Sequence, residues 1–223
     1  MINQFKKSLV IAPHLDDETI ALGGTIRKLS RANMEVNVII IGGHLPPLYN
    51  KKDYLITKKE SKNALRILGS KKTFYFDLPA LEFHKNYYQI INTKIKDIIN
   101  NLNPTAVFIP FPDRHIDHRT IFDCAMVNTR PNTKKHPKLV LCYETLSETH
   151  WNAPYIEPNF NPDFFINIDK HIKYKIKALQ CYQSQIKNNQ SRSIKAVEAL
   201  AKFRGSQNGC GYAEGFKLIR AIV

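Results

Sequence analysis

Two short segments of this 223-residue chain concentrate the side chains that hold metals and move protons. The first is Ala12-Pro13-His14-Leu15-Asp16-Asp17-Glu18, followed by Gly23-Gly24-Thr25. A histidine and a carboxylate three residues apart in a turn, as His14 and Asp17 are, can converge on one cation. Neutral imidazole and carboxylate oxygen are both ordinary zinc ligands. Asp16, between them, could face a water on that cation without binding the ion. One aspartate at a helix start is commonly a cap. A histidine followed by three consecutive acids is harder to explain that way, because adjacent carboxylates repel unless a positive charge offsets them.

The second segment is Phe111-Pro112-Asp113-Arg114-His115-Ile116-Asp117-His118. His115 and His118 are one backbone turn apart and can reach the same site. Asp117, between them, could accept a hydrogen bond from a ligand's second nitrogen. Together the segments offer two or three histidines and a carboxylate, with no cysteine. That donor set suits a catalytic metal site with one position open for water.

The elements around these segments place them alike. Ser8 to Ala12 is a short apolar run suited to a buried strand, and so are Val36 to Ile41, Thr73 to Phe76, Ala106 to Ile109 and Lys138 to Tyr143. Helical spacing occupies Thr19 to Arg31, Tyr54 to Leu68 with Gly69 as its stop, and Tyr87 to Leu102. Strand and helix alternate, which predicts an α/β fold: a Rossmann-like three-layer α/β/α sandwich with a mostly parallel sheet. Both segments then follow buried strands, at the carboxyl ends where open parallel sheets bind ligands. Ser147 to Phe164, with Pro154, Pro158 and Pro162, reads as a long loop. Helical spacing returns over Lys170 to Ile186 and Ser193 to Phe203, and a last strand is expected from Phe216 to Val223. The whole chain, 1–223, is expected to be one domain.

Composition narrows the classes. Hydrophobic content of 43% and charged content of 23% are ordinary globular values. No apolar run is long enough for a transmembrane helix, and no signal-peptide pattern precedes His14, so a cytoplasmic location is expected. Cys124, Cys142, Cys181 and Cys210 include no C-x-x-C pair and fit reduced core thiols. The net charge of +14 suits an anionic partner, but its lysines are dispersed (Lys51-Lys52, Lys58-Lys59, Lys71-Lys72, Lys134-Lys135). A nucleic-acid footprint would be clustered, and none is expected here.

With these residues in view, the sequence resembles the PIG-L/LmbE-like zinc N-deacetylases. That family's first motif is A-H-P-D-D-E followed by G-G-T, and its second is H-x-D-H. Pro13 to Glu18, Gly23 to Thr25 and His115 to His118 carry the likeness. It continues late in the chain at Lys177-Ala178-Leu179, Ser184-Gln185, Arg204-Gly205 and Tyr212 to Phe216. Leu15 stands where the family has proline. A family arginine ahead of the helix containing Glu60 is replaced by Lys58 and Lys59.

The resemblance implies that His14, Asp17 and His118 bind one Zn2+ and that Asp16 is the general base. It further implies that a protonated His115 stabilises the oxyanion, with Asp117 orienting His115. Iron(II) accepts the same donors. Asp113 and Arg114 are candidates to touch substrate. The implied substrate is an N-acetylglucosamine-like amino-sugar conjugate, a small molecule or lipid-linked, with the basic surplus favouring an anionic one. A homo-oligomer is compatible with the sequence. Aromatics in the His150–Phe165 stretch (Trp151, Tyr155, Phe160, Phe164, Phe165) are expected in the core rather than as a sugar platform. Two rivals differ in class: a metal-dependent phosphoesterase, which would use two metals about 4 Å apart, and a non-catalytic sugar-binding member of the same fold.

Overall fold

The computed structural model describes residues 2–132, 135–153, 155–186 and 190–222. Pro154 of the proline series, Lys134 of the basic pair and Val223 of the expected last strand lie outside them. The described strands are β1 (Lys7–His14), β2 (Glu35–Gly43), β3 (Lys72–Pro79), β4 (Ala106–Pro110), β5 (Leu139–Tyr143), β6 (Phe164–Asn167) and β7 (Ala213–Ala221). The helices are α1 (Asp17–Arg31), α2 (Lys51–Leu68), α3 (Tyr88–Leu102), α4 (Ile116–Asn128), α5 (Ile172–Leu179), α6 (Gln183–Ile186) and α7 (Ile194–Ser206).

The sheet runs β3-β2-β1-β4-β5-β7-β6. The first five strands are parallel, and β7 is antiparallel to both neighbours. Strand order reverses between β1 and β4, so a crevice opens at their carboxyl ends.

Alternation within the strands explains the three layers. In β1, Val10 and Ala12 face a core shared with α1, α2 and α5, whereas Leu9 and Ile11 face one shared with α3 and α4. Both faces are covered, which is why these strands read as unbroken apolar runs. At the end of α2, Gly69 takes the left-handed conformation (φ 83°), and its N–H bonds the carbonyl of Leu65.

Helix α1 is interrupted at Leu22 (φ −136°, ψ 27°), just before Gly23-Gly24-Thr25. The freed donors are met from the far end of the chain. The Glu214 carboxylate accepts from Gly24 N at 2.9 Å and Thr25 N at 2.7 Å. Lys175 Nζ donates to Glu214 Oε1 at 2.6 Å and to the carbonyl of Ala21 at 3.2 Å. Gly24 must lack a side chain, because a Cβ there would lie 2.6 Å from Ile168 Cδ1. The late Tyr-Ala-Glu-Gly-Phe segment thus serves the helix that starts in the first motif.

Three features differ from the sequence expectations. Residues 170–186 form two short helices, α5 and α6, because Tyr182 turns inward to the buried Glu18. The four-residue strand β6, which starts at the last residue of the expected loop, pairs with β7. The second motif opens a helix, α4, whose buried side chains Asp117, His118, Thr120, Ile121, Cys124 and Ala125 are too mixed to give an apolar stripe.

Candidate metal centre

His14 is the last residue of β1, and Asp17 is the first of α1. The connection is tight. Asp16 adopts φ 124°, a conformation that an L-residue holds only when its surroundings impose it. Its carbonyl accepts from Thr19 N and Ile20 N, and its N–H donates to Glu18 Oε2 at 3.3 Å. Glu18 is itself fixed by the hydroxyls of Tyr182 and Thr19. The consecutive acids therefore divide their work: Glu18 braces the turn, and Asp17 points at the histidines.

Across the switch point, β4 runs into Asp113 and then α4. His115 caps α4, its Nδ1 accepting from Asp117 N at 3.2 Å. His118, in the first turn, is fully buried and donates from Nδ1 to Asp113 Oδ2 at 2.9 Å. His14 donates from Nε2 to Asp117 Oδ2, also at 2.9 Å. His14 and His118 thus each spend one nitrogen on an outer carboxylate and turn the other toward Asp17. His14 Nδ1 lies 3.3 Å, and His118 Nε2 3.4 Å, from Asp17 Oδ2.

His14, Asp17 and His118 form one group of converging donors, and His14, His115 and Asp117 form another. In the second, the short His14–Asp117 hydrogen bond closes the gap that an ion would need. In the first, His118 Nε2 and Asp17 Oδ1 are buried without a hydrogen-bond partner, while the second has one such atom, Asp117 Oδ1. Buried polar atoms in native proteins are nearly always satisfied, so His118 Nε2 and Asp17 Oδ1 suit a bound cation. Neutral imidazole and carboxylate donors, each His with an outer-shell acceptor, fit a divalent ion such as zinc.

The electrostatics agree. Burial opposes charge on His14 and His118, yet hydrogen bonds and charges from Asp117, Asp17 and Asp113 outweigh it, raising them to about 9 and about 10. Burial likewise opposes ionisation of Asp17, but the two imidazoles hold it well below the carboxylate range. Asp16 is pushed up to about 7 by burial, against the pull of Arg192 and with help from Asp17 and Glu18. Burial and the charges of His14 and His118 depress His115 to about 3. The shift favours the neutral ring. With Nδ1 accepting a backbone N–H, its proton sits on Nε2.

A cavity of about 230 Å³ opens over this group, lined by His14, Asp16 and His115 together with His44, Tyr49, Thr57, Glu148, Gln185 and Arg192. The six expected site residues are thus brought together, with Asp17, Asp117 and His118 buried beneath the three that line the cavity. Asp117 accepts from His14 Nε2, as expected of a carboxylate beside a ligand's second nitrogen, and from Leu81 N, whereas the contact with the His115 ring that the resemblance implies is not among its carboxylate's hydrogen bonds. Asp113 does not reach the cavity. It is wholly buried and also accepts from His115 N and Thr149 Oγ1, so it anchors His118 from behind. Arg114 is exposed and lies outside the cavity lining, its N–H donating to Asn152. Phe160 packs on Phe111 and Phe164 on Phe5, whereas Trp151 and Tyr155 are exposed and none of these aromatics lines the cavity.

Lys58 pairs with Asp77 rather than facing the cavity, and neighbouring Thr57 faces it instead. The guanidinium there belongs to Arg192, 176 residues from its partner Asp16. Nothing local marks that residue. Gln185 follows Ser184, which is tied to Glu60 by two hydrogen bonds, and this tie brings the late Ser-Gln pair to the rim.

Comparison with known proteins points the same way. Residues 9–128, which hold both motifs, match the model of the GlcNAc-PI de-N-acetylase (PIG-L) family. A diacetylchitobiose deacetylase of Thermococcus kodakarensis is 25% identical over 99% of this chain and 85% of its own length. A probable N-acetyl-alpha-D-glucosaminyl L-malate deacetylase 2 of Bacillus cereus is 29% identical over 79% of this chain and 82% of its own. The N,N'-diacetylchitobiose deacetylase of Pyrococcus horikoshii superposes with a TM-score of 0.76 at 24% identity, covering 96% of this chain and 84% of that one. With its two motifs at adjoining strand ends and more than half its length matched, the chain belongs to the PIG-L family of de-N-acetylases.

Proposed function

We propose that this protein is a zinc-dependent hydrolase that removes the N-acetyl group from an N-acetylglucosamine-like conjugate. The observation that carries this reading is the convergence of His14, Asp17 and His118, with two unsatisfied buried atoms, directly beside Asp16. The deacetylases among the relatives support the substrate class. We take the chain as one catalytic domain, a view supported by the single sheet, whose strands come from residues 7 to 221.

In this reading His14, Asp17 and His118 hold the ion. When bound, it polarises the amide carbonyl and lowers the pKa of water to roughly 7. Asp16 lines the cavity and takes the proton of the attacking water. Its pKa near 7, against an ordinary 3.8, suits a group that accepts this proton and then returns it to the departing amine. His115 offers its Nε2–H to the oxyanion of the tetrahedral intermediate, a contribution of about 3 kcal/mol. Asp117 and Asp113 fix the tautomers of His14 and His118, so each presents a lone pair to the ion. The sum of the steps is amide plus water to acetate plus amine.

A panel of N-acetylglucosamine conjugates, including anionic ones, tests the proposal through acetate release by zinc-loaded protein. Release from at least one conjugate, with about one zinc per chain, supports it. Release of phosphate from phosphate esters in its place, with two metals bound, would replace it with the phosphoesterase reading.

A further inference from the structure

Arg192 pairs with the proposed base and is held from both sides. Its Nη1 lies 3.3 Å from Asp16 Oδ2. On the other side, Nε donates to Ser147 Oγ at 2.9 Å, and Nη2 lies 3.4 Å from Glu148 Oε1. Ser147 has φ 80°, so the loop after β5 is turned to meet the guanidinium. The side chain is only 18% exposed. An arginine that merely balanced the acids of the first motif would not need this second set of anchors.

A carboxylate acts as a base through one oxygen, and the other must be held if the first is to keep its aim. Asp16 sits on a strained turn with Glu18 bracing its backbone N–H, a contact made to the backbone and not to the carboxylate. Arg192 supplies the missing restraint. We propose that Arg192 is a positioning residue for deacetylation: by engaging Asp16 Oδ2 it aims Oδ1 at the attacking water. The inference rests on the reading of Asp16 as the base.

The planar fork matters here, because lysine has the charge but not the geometry to span Asp16, Ser147 and Glu148. Misplacing a catalytic group by about 1 Å can cost about 100-fold in rate. Arg192→Ala should therefore lower kcat about 100-fold and leave KM within about twofold. Arg192→Lys should recover only part of the loss. Guanidinium ion added to the alanine variant should restore rate, and it should do nothing for Asp16→Asn. In the Asp16→Asn background, Arg192→Ala should have little further effect.

Crystal structures of metal-loaded Arg192→Ala and Arg192→Lys give a readout independent of turnover. The Asp16 carboxylate should be rotated in the first, and both variants should keep wild-type zinc content. An Asp16 carboxylate unmoved in Arg192→Ala overturns the proposal. So does a raised KM at unchanged kcat, which would make Arg192 a substrate contact. Should the wild type release no acetate from any conjugate, the deacetylase reading fails, and the crystallographic comparison still decides whether Arg192 sets the position of Asp16.

Discussion

The two turns that build the candidate metal centre follow equivalent strands yet solve opposite problems. After β1, the chain places three acids in succession, and Asp16, the first of them, pays in backbone strain for its place ahead of Asp17 and Glu18. After β4, the backbone is relaxed: His115 is an extended N-cap with φ −76°, and α4 starts without distortion. The strained turn carries the proposed base and two of the proposed ligands, His14 and Asp17. The relaxed turn carries the third proposed ligand, the proposed oxyanion donor and both outer carboxylates. Chemistry that needs an unusual carboxylate is thus placed where the backbone is forced, and chemistry that needs fixed imidazole tautomers is placed where regular hydrogen bonding sets them.

Substitutions in each turn should separate these roles. The largest effect is expected in the strained turn: Asp16→Asn should lower kcat by about 10²- to 10⁴-fold, measured by acetate release, while zinc content stays at wild type. In the relaxed turn, His115→Ala should cost about 10²- to 10³-fold in kcat, again without loss of metal. Asp113→Asn should act on the metal first, weakening zinc affinity about 10- to 100-fold in competition with a chelator. A fall in kcat at full zinc occupancy for Asp113→Asn would erase the distinction between the turns.

A smaller, pH-dependent effect follows from the raised imidazoles. Their folded-state values, about 9 for His14 and about 10 for His118, lie above the ordinary 6.5. Their contribution to the stability of the metal-free protein is therefore complete below the ordinary value and is lost as pH rises through 9 to 10. Metal binding needs both rings neutral and should release protons at neutral pH, so zinc affinity should rise with pH. Calorimetry in buffers of different ionisation heat counts those protons. The melting temperature of the metal-free protein should fall across this range, and that of the zinc form should fall less.

How far the site was legible depends on how local its parts are. His14, Asp16 and Asp17 sit within four residues and His115, Asp117 and His118 within another four, each group after an apolar strand, so type and spacing sufficed. Arg192 and Glu214 act 176 and 190 residues from their partners, and no periodicity foretells such a contact. Helix α4 escaped notice because its first turn is given over to Asp117 and His118. Strand β6 escaped because four residues are too few to show alternation. The role of Asp113 was open to a closer reading: its carboxylate, like that of Asp117, lies within a turn or so of the histidines it could serve.

The central claim separates ligands from base, and zinc titration of the metal-free protein tests it most directly. Calorimetry on the wild type, Asp16→Asn and His118→Ala should find about one tight site in the first two and none in the third. Tight binding that survives His118→Ala, or that disappears in Asp16→Asn, would contradict the assignment.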